Sequence, residues 1–388
     1  MKVIVFGGDG FCGWPTSLHL SNIGCDVLII DNLSRRNIDN ELSCNSLTPI
    51  STIHVRIQTW KEKTGKKIEF ININIAKEYH ELVNVLRKYN PDAVIHFAEQ
   101  RAAPYSMKSN KCKRYTVENN IQATHNILTA ISSVNKKIHI IHLGSTGVYG
   151  YGNSIIPIPE GYLNIDLTHK GKKYQTEIVH PYYPGSIYHM TKCMDNVMFH
   201  FFVKNDKLRI TELHQGVVWG TNTKECKIDE RLINRFDYDG DYGTVLNRFL
   251  IQAAVGQPLT VYGTGGQTRA FIHIQNTVQC IEIAIENPPE QGENVQTYNQ
   301  LTETHRVVDL AHIISELTNA KIEFLKNPRK EAEENELVIS NECFIQKKLN
   351  PIYLERGLLK EIIDIAKKYK NRFDQSKIKC ESFWVKST

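Results

Sequence analysis

Tyr188 and Lys192 are the two residues whose types and spacing most directly suggest chemistry. They end the YxxxK run Tyr188-His189-Met190-Thr191-Lys192, inside a stretch over 187–205 whose pattern predicts a helix. A four-residue spacing puts both side chains on one helical face. A phenol with a pKa of about 10 is a poor base at neutral pH. An ammonium one turn away favours the phenolate and lowers that value. Tyr188 could then take a proton from a hydroxyl while hydride leaves the same carbon. Alone, YxxxK more often marks one buried tyrosine and one surface lysine. Here a second hydroxyl precedes it, in Leu143-Gly144-Ser145-Thr146-Gly147-Val148-Tyr149-Gly150, where Ser145 closes an apolar run and can position the same substrate hydroxyl.

A hydride acceptor is suggested at the other end of the chain. Gly7-Gly8-Asp9-Gly10-Phe11-Cys12-Gly13 carries Gly7, Gly10 and Gly13 as GxxGxxG between a β-branched run and a predicted helix. Such glycines allow the tight turn, the approach of a pyrophosphate and the packing of helix on strand, and the helix N-terminus offers N–H groups to phosphate. Asp31 falls at the end of the second apolar run, followed by Asn32. An acid there accepts from a ribose 2′-hydroxyl and repels a 2′-phosphate, which favours NAD over NADP. Arg35 and Arg36 follow closely; they could tolerate a phosphate or stack near the adenine. Asn74 stands where an adenine contact or an ordinary turn residue would serve. No metal-ligand spacing accompanies these motifs.

The elements that must hold these residues follow from periodicity. Strands are predicted at 2–6, 26–30, 68–73, 93–97, 138–143 and 208–213, and helices at 14–23, 80–88, 116–134 and 187–205. Strand–helix–strand order implies parallel strands with right-handed crossovers. The expected fold class is α/β, a Rossmann-type doubly wound parallel sheet with a smaller C-terminal α/β substrate domain. Residues 1–220 would form the NAD-binding part, also receiving 271–300, and 221–388 mainly the substrate part. A helix at 246–255, a strand at 259–262 and a turn at Gly263-Thr264-Gly265-Gly266 belong to the second part. Between Ser34 and Lys67 lies a long polar insertion, expected as a functional or disordered loop.

Composition narrows the class. At 388 residues the chain exceeds one typical domain, and 41% hydrophobic content suffices for a full core. A net charge of +5 is a mild bias toward small anions, not a nucleic-acid footprint. Nine scattered cysteines without a CxxC pair argue for reduced thiols and a cytoplasmic compartment. The chain reads as a strand from its first residues, so no leader segment is expected, and no apolar run is long enough for a bilayer.

Glycine nest, acid, strand-end serine and YxxxK, in that order, resemble the extended short-chain dehydrogenase/reductases that epimerise, dehydrate or oxidise nucleotide sugars. That resemblance implies Ser145, Tyr188 and Lys192 as the catalytic set, with Asn119 or Asn120 supporting the lysine, and a homodimer through two long helices. Several stretches resemble the UDP-sulfoquinovose synthase family more closely. They include Ser46-Leu47-Thr48-Pro49-Ile50 in the insertion, Glu99-Gln100-Arg101-Ala102-Ala103-Pro104-Tyr105-Ser106-Met107, Gln215-Gly216-Val217-Val218, Arg235-Phe236-Asp237-Tyr238-Asp239, Gly266-Gln267-Thr268-Arg269 and Asn327-Pro328-Arg329. The resemblance implies NAD as cofactor and UDP-glucose and sulfite as substrates. Oxidation at carbon 4 would acidify the carbon-5 proton, the 6-hydroxyl would leave, and sulfite would add at carbon 6.

Gln100 and Arg101 follow the fourth strand at its carboxyl edge, where ligands bind. Arg101 could grip the sugar, a phosphate or sulfite, or form a surface ion pair. Arg269 and Arg329 are candidates for the UDP pyrophosphate, with Gln215, Gln267, Thr244 and Asn247 near the rest of the substrate. His189 reads equally as a proton relay or a packed histidine, and Cys193 as a small core residue. Two departures stand out. Where the family strand end reads Thr-Met-Gly-Glu-Tyr-Gly, this chain has Ser145 to Gly150 with Val148 for the glutamate, and His214 replaces an asparagine. The main rival reading is therefore a UDP-hexose 4-epimerase. A non-catalytic nucleotide sensor is the other class, and the complete set of Ser145, Tyr188 and Lys192 argues against it.

Overall fold

The computed structural model describes residues 1–150, 156–329 and 331–382. The first strands are β1 (Lys2–Phe6), β2 (Asp26–Ile30), β3 (Ile68–Ile71), β4 (Ala93–His96) and β5 (His139–Leu143). An antiparallel ribbon of β6 (Leu163–His169) and β7 (Lys172–Ile178) follows. Then come β8 (Arg209–Gln215), β9 (Val217–Trp219), β10 (Leu259–Tyr262), β11 (Thr268–His273), β12 (Gln296–Gln300), β13 (Glu303–Arg306) and β14 (Ile322–Leu325). The helices used below are α1 (Gly13–Asn22), α2 (Ser34–Leu42), α3 (Ile53–Thr64), α4 (Tyr79–Tyr89), α5 (Ala103–Lys108), α6 (Asn110–Val134), α7 (Ile187–Asp206), α8 (Val245–Ala254) and α9 (Ile274–Glu286).

Seven strands form one parallel sheet in the order β12-β8-β5-β4-β1-β2-β3. Its central strands are runs of valine and isoleucine because helices cover both faces. The order reverses at β1, where the chain steps outward first through β2 and later through β4, and this leaves a crevice at the carboxyl ends of those two strands. Register lines the ends up: Phe6 lies beside Ile30 on one side and His96 on the other. Gly7, Asp31 and Phe97 are therefore neighbours at one edge.

The insertion departs from expectation. It is not a long loop but carries α2 and α3. Thr52 caps α3 by accepting from Val55 N, and Gly65 ends it with φ 71°. Ile53, Ile57 and Trp60 of α3 pack into the main core, and buried charges add to that docking. Fully buried Arg56 stacks on Trp14 at 3.9 Å from its ring centre and pairs with Asp9 at 2.9 Å. Trp60 donates to Ser21 Oγ at 3.0 Å. A polar sequence hides such packing, because its buried faces include charges that find partners far along the chain. The β6–β7 ribbon was also not anticipated; β6 alternates Leu163, Ile165 and Leu167 with polar residues, but the ribbon's residues are exposed or half-buried and β7 is mostly polar.

Later elements interleave with the first part. β12 joins the edge of the main sheet beside β8, and α9 packs against α1. A separate core gathers β10, α8 and the final helix, Arg356–Lys368, around Phe236, Phe249 and Leu250.

His19 on α1 ties these parts together, with Nδ1 3.0 Å from Glu225 and Nε2 2.8 Å from Glu282 on α9. Burial alone would lower the His19 pKa, but the two glutamates outweigh it and raise it. Burial opposes the Glu225 charge as well, yet its bond to His19 holds that carboxyl down at about 2. The histidine's contribution is complete below its unfolded pKa of about 6.5 and is lost as pH rises through the raised folded value. Glu225 contributes above about 4.5 and fails only in strong acid. Relative to His19→Gln, the native chain should therefore lose urea resistance as pH climbs from about 6.5 through the alkaline range. A pH-independent difference between the two denaturation midpoints would contradict this assignment.

Candidate active site

The turn after β1 is built for close approach. Gly7 sits at φ 78°, and a Cβ there would lie 2.7 Å from the Phe97 carbonyl carbon. A Cβ at Gly13 would stand 2.1 Å from Gly7 O, so only glycine lets α1 begin there. At the start of α1, Gly13 borders the cleft, while Trp14 N donates back to Gly10 O at 3.1 Å and Pro15 carries no N–H. Asp31 closes the other side, accepting from Asp9 N at 2.9 Å and Leu33 N at 2.7 Å. Burial, and next the Asp9 charge, push its carboxyl up to about 6. Asp31, Asn32, Asn74 and Asn119 line one cleft with Gly7, Gly10, Phe11, Cys12 and Gly13. The bare glycine cradle and the strand-end acid fit a dinucleotide. Asn74 also accepts from Ala76 N at 3.2 Å, as a turn residue does.

Arg36 is a correction. Its guanidinium is drawn into the turn by Asp9 (2.6 and 2.9 Å) and Ser51 O (2.8 Å), and it does not line the cleft. Arg35 lines it instead, stacked 3.8 Å over the Tyr242 ring.

Tyr188 and Lys192 share one face of α7, with Lys192 Nζ 5.9 Å from the Tyr188 ring centre. Ser186 caps the helix by accepting from His189 N. Both Tyr188 and Lys192 line the dinucleotide cleft. Tyr188 also lines a second, adjoining cleft, together with Ser145. Lys192 is not supported by Asn119 or Asn120. Its ammonium donates to Leu143 O at 2.6 Å and pairs with Glu99 at 2.8 Å. Asn120 instead exchanges hydrogen bonds with the Gln100 backbone and donates to Thr191 Oγ1 at 3.1 Å, pinning the segment after β4 to α7. Asn119 turns to Asn120 at 3.1 Å.

The second cleft brings together Arg101, Gln215, Thr244, Gln267, Arg269 and Arg329, beside Ser145, Tyr188 and His189. Phe11, Cys12, Arg101, Tyr188 and Gln215 belong to both clefts, so the two are continuous at the reacting end. Arg101 pairs with Asp237 at 2.7 Å and Arg269 with Glu331 at 2.5 Å. His189 Nε2 lies against Gly147, where a Cβ would come within 2.2 Å of it. Burial first, then the charges of Arg329 and Arg269, lower the His189 pKa to about 3.

Two substrate candidates are corrected. Asn247 is buried in α8 and lines neither cleft. Its neighbour Arg248 does line the second cleft, held over the Tyr262 ring at 4.7 Å and donating to Thr260 O. The signal was its four-residue spacing from Thr244, which puts both on one helical face. Gln100 lines only the dinucleotide cleft, and its side chain is spent on Ala102 and Thr116. Glu99 was missed as well, because no local spacing links it to Lys192.

Among the departures, Val148 is fully buried in a small core with Cys193 and Ile158, so it faces neither cleft. Thr146 does line the second cleft, but its hydroxyl is given to Gln215 O at 3.3 Å. His214 is bonded to Tyr149 and lies 3.2 Å from Glu212, outside both clefts.

The family model described as the NAD dependent epimerase/dehydratase family matches residues 3–299. The chain is 42% identical to the chloroplastic UDP-sulfoquinovose synthase of Spinacia oleracea, over 99% of this chain and 79% of that one. It is 38% identical to the UDP-sulfoquinovose synthase of Sulfolobus acidocaldarius, over 86% and 84%. Among solved structures, a UDP-glucose 4-epimerase from Thermotoga maritima with UDP-glucose superposes with a TM-score of 0.69 at 18% identity, covering 95% of this chain and 99% of that one. A UDP-glucuronic acid 4-epimerase from Bacillus cereus with UDP-glucuronic acid and NAD gives 0.67 at 21%, with the same coverage. These two likenesses establish the fold. The identities to the synthases establish more: the chain belongs to the NAD-dependent epimerase/dehydratase family and, within it, to the UDP-sulfoquinovose synthases.

Proposed function

We propose that this enzyme converts UDP-glucose and sulfite into UDP-6-sulfoquinovose through a 4-keto sugar, with NAD as a recycled cofactor. The observation that carries the reading is the junction of the clefts. A dinucleotide cradle and an arginine-bearing cleft meet at Tyr188, with Ser145 and Lys192 beside it. NAD would be held by Gly7, Gly10, Gly13 and Asp31, and when bound it supplies reversible hydride acceptance. Arg269 and Arg329, with Arg248 behind them, hold the UDP diphosphate by charge-assisted hydrogen bonds. Residues 221–388 supply most of that half.

Each remaining role belongs to a side chain. Ser145 orients the 4-hydroxyl, and Tyr188 removes its proton as phenolate. Lys192 favours that phenolate; burial opposes its charge, but Glu99 and Tyr188 raise its pKa above the ordinary value. The 4-ketone acidifies the carbon-5 hydrogen. His189 is the group placed to take that proton and to protonate the departing 6-hydroxyl, since Thr146, Gly147 and Val148 bring no acid. Its low pKa comes first from burial and then from Arg329 and Arg269, and a bound diphosphate would offset the part due to those two charges. Arg101, at the mouth of both clefts, receives the sulfite anion. The 6-hydroxyl leaves as water carrying the proton taken from carbon 5, sulfur's lone pair then forms the carbon–sulfur bond at carbon 6 of the resulting enone, and a new proton from bisulfite or solvent is delivered to carbon 5.

One observation favours a second reading, UDP-hexose 4-epimerase: the strand-end stretch places no carboxylate in the cleft. We propose a reducing compartment such as the cytosol for either activity, supported by nine free cysteines. Among the described residues no helix is long and apolar enough to cross a membrane. A homodimer is supported by α7, where Met194, Val197 and Phe201 form a stripe that is 42%, 65% and 60% exposed, beside α6.

Incubation with UDP-glucose and sulfite, followed by mass spectrometry, should give a sulfite-dependent UDP-sulfoquinovose mass. UDP-galactose without sulfur incorporation would sink the reading in favour of the epimerase. Tyr188→Phe should keep NAD bound and lower kcat by about 100-fold or more; near-native turnover would remove Tyr188 from the mechanism. Val197→Glu combined with Phe201→Glu should convert a dimer to a monomer in sedimentation. An unchanged sedimentation coefficient in the double variant would exclude this face as the interface.

A further inference from the structure

At the wall of the dinucleotide cleft, Glu99 and Lys192 belong to a buried group of ionisable side chains. Glu99, just after β4, sits with its carboxylate 2.8 Å from Lys192 Nζ. The other carboxylate oxygen meets His142 Nε2 of β5 at 2.9 Å and accepts from Thr124 Oγ1 of α6 at 3.3 Å. The side chains of Glu99 and Lys192 are only 3% and 4% exposed. This arrangement was bought at a cost in desolvation, so it calls for a reason other than stability.

We propose that Glu99 is the positioning residue for Lys192: its carboxylate keeps the ammonium charged and anchored on the Tyr188 face of α7, while His142 and Thr124 fix the carboxylate. Lys192 then spends two of its donor directions on Glu99 and Leu143 O, which sets where the charge stands relative to the phenol. Of the other groups around Lys192, Asp195 on α7 is fully buried, and burial, then the Glu99 charge, push its carboxyl well above the carboxylate range. On β8, Glu212 is paired with His214 at 3.2 Å. On β4, His96 is driven by burial to about 3 and stays neutral. His142 on β5 and Tyr188 complete the set. Among the described residues Glu99 is the one carboxylate within ion-pair distance of Lys192.

This inference rests on the reading of Lys192 as the partner of Tyr188. Its test reads Lys192 directly. The chain carrying ε-13C-lysine is titrated by NMR, and the Lys192 signal is assigned by its absence in Lys192→Arg. In Glu99→Gln the ammonium should lose its proton at least about tenfold more readily, one pH unit or more below the native chain. Glu99→Asp should recover part of the shift and guards against a folding defect. With UDP-glucose and sulfite as substrates, the alkaline limb of the kcat profile should move the same way, with KM for UDP-glucose within about twofold. An unchanged Lys192 titration in Glu99→Gln overturns the proposal, whether kcat is native or uniformly lower. A shifted titration in a chain inactive toward UDP-glucose supports it and removes the proposed reaction instead.

Discussion

Asp237 holds three arginines at once: Arg235 and Arg35 at 3.1 Å and Arg101 at 2.7 Å. These arginines come from three separate stretches: the insertion helix α2, the segment after β4 and the loop before α8. Asp39 adds a second carboxylate, 2.5 Å from Arg35 and 2.7 Å from Arg235. Burial opposes ionisation of Asp237, but the arginines hold its carboxyl well below the usual range. A buried charge survives only when paired, and removing one partner strands the others. The network therefore fixes the relative positions of the insertion, the post-β4 segment and the C-terminal part. Arg101, held by Asp237, presents its guanidinium where the two clefts join. An anion arriving at that junction meets a charge already positioned.

The chemistry follows from how little the site must move. Asn120 ties the segment carrying Gln100 and Arg101 to α7, which carries Tyr188 and Lys192. Glu99 ties that same segment to the lysine. The groups for the 4-hydroxyl and the guanidinium for the incoming anion are thus mounted on one braced unit. The departures from the family pattern sit beside this unit without breaking it. Val148 points into a small core, and His189 lines the second cleft beside Ser145 and Tyr188. That imidazole fits because Gly147 has no side chain to displace it.

Legibility in the sequence followed the range of the interaction. Gly7, Gly10, Gly13 and Asp31 act within one strand–turn–helix unit, and Tyr188 and Lys192 within one helical turn, so spacing alone exposed them. The parallel strands were readable because both faces are covered and the runs are apolar. The insertion was misread as a loop because the short apolar set Ile53, Ile57 and Trp60 is embedded in polar residues, and Arg56 and Arg36 dock by ion pairs to Asp9, 47 and 27 residues away. Glu99 lies 93 residues before Lys192 in the chain, and no pattern connects them until β4 and β5 pair. Asn247 was preferred to Arg248 because neither the phase of α8 nor the position of its cap at Thr244 was known from the sequence.

In the proposed reaction carbon 4 is oxidised and reduced again at one junction of the clefts while carbon 5 exchanges its hydrogen. Turnover of UDP-glucose deuterated at carbon 4, with sulfite in ordinary water, tests this directly by mass spectrometry and NMR of the product. The expected product is UDP-sulfoquinovose that retains deuterium at carbon 4, with a solvent-derived hydrogen at carbon 5 when the reaction is repeated in heavy water. Loss of the carbon-4 deuterium to solvent, or a sulfonated product with no exchange at carbon 5, would contradict it.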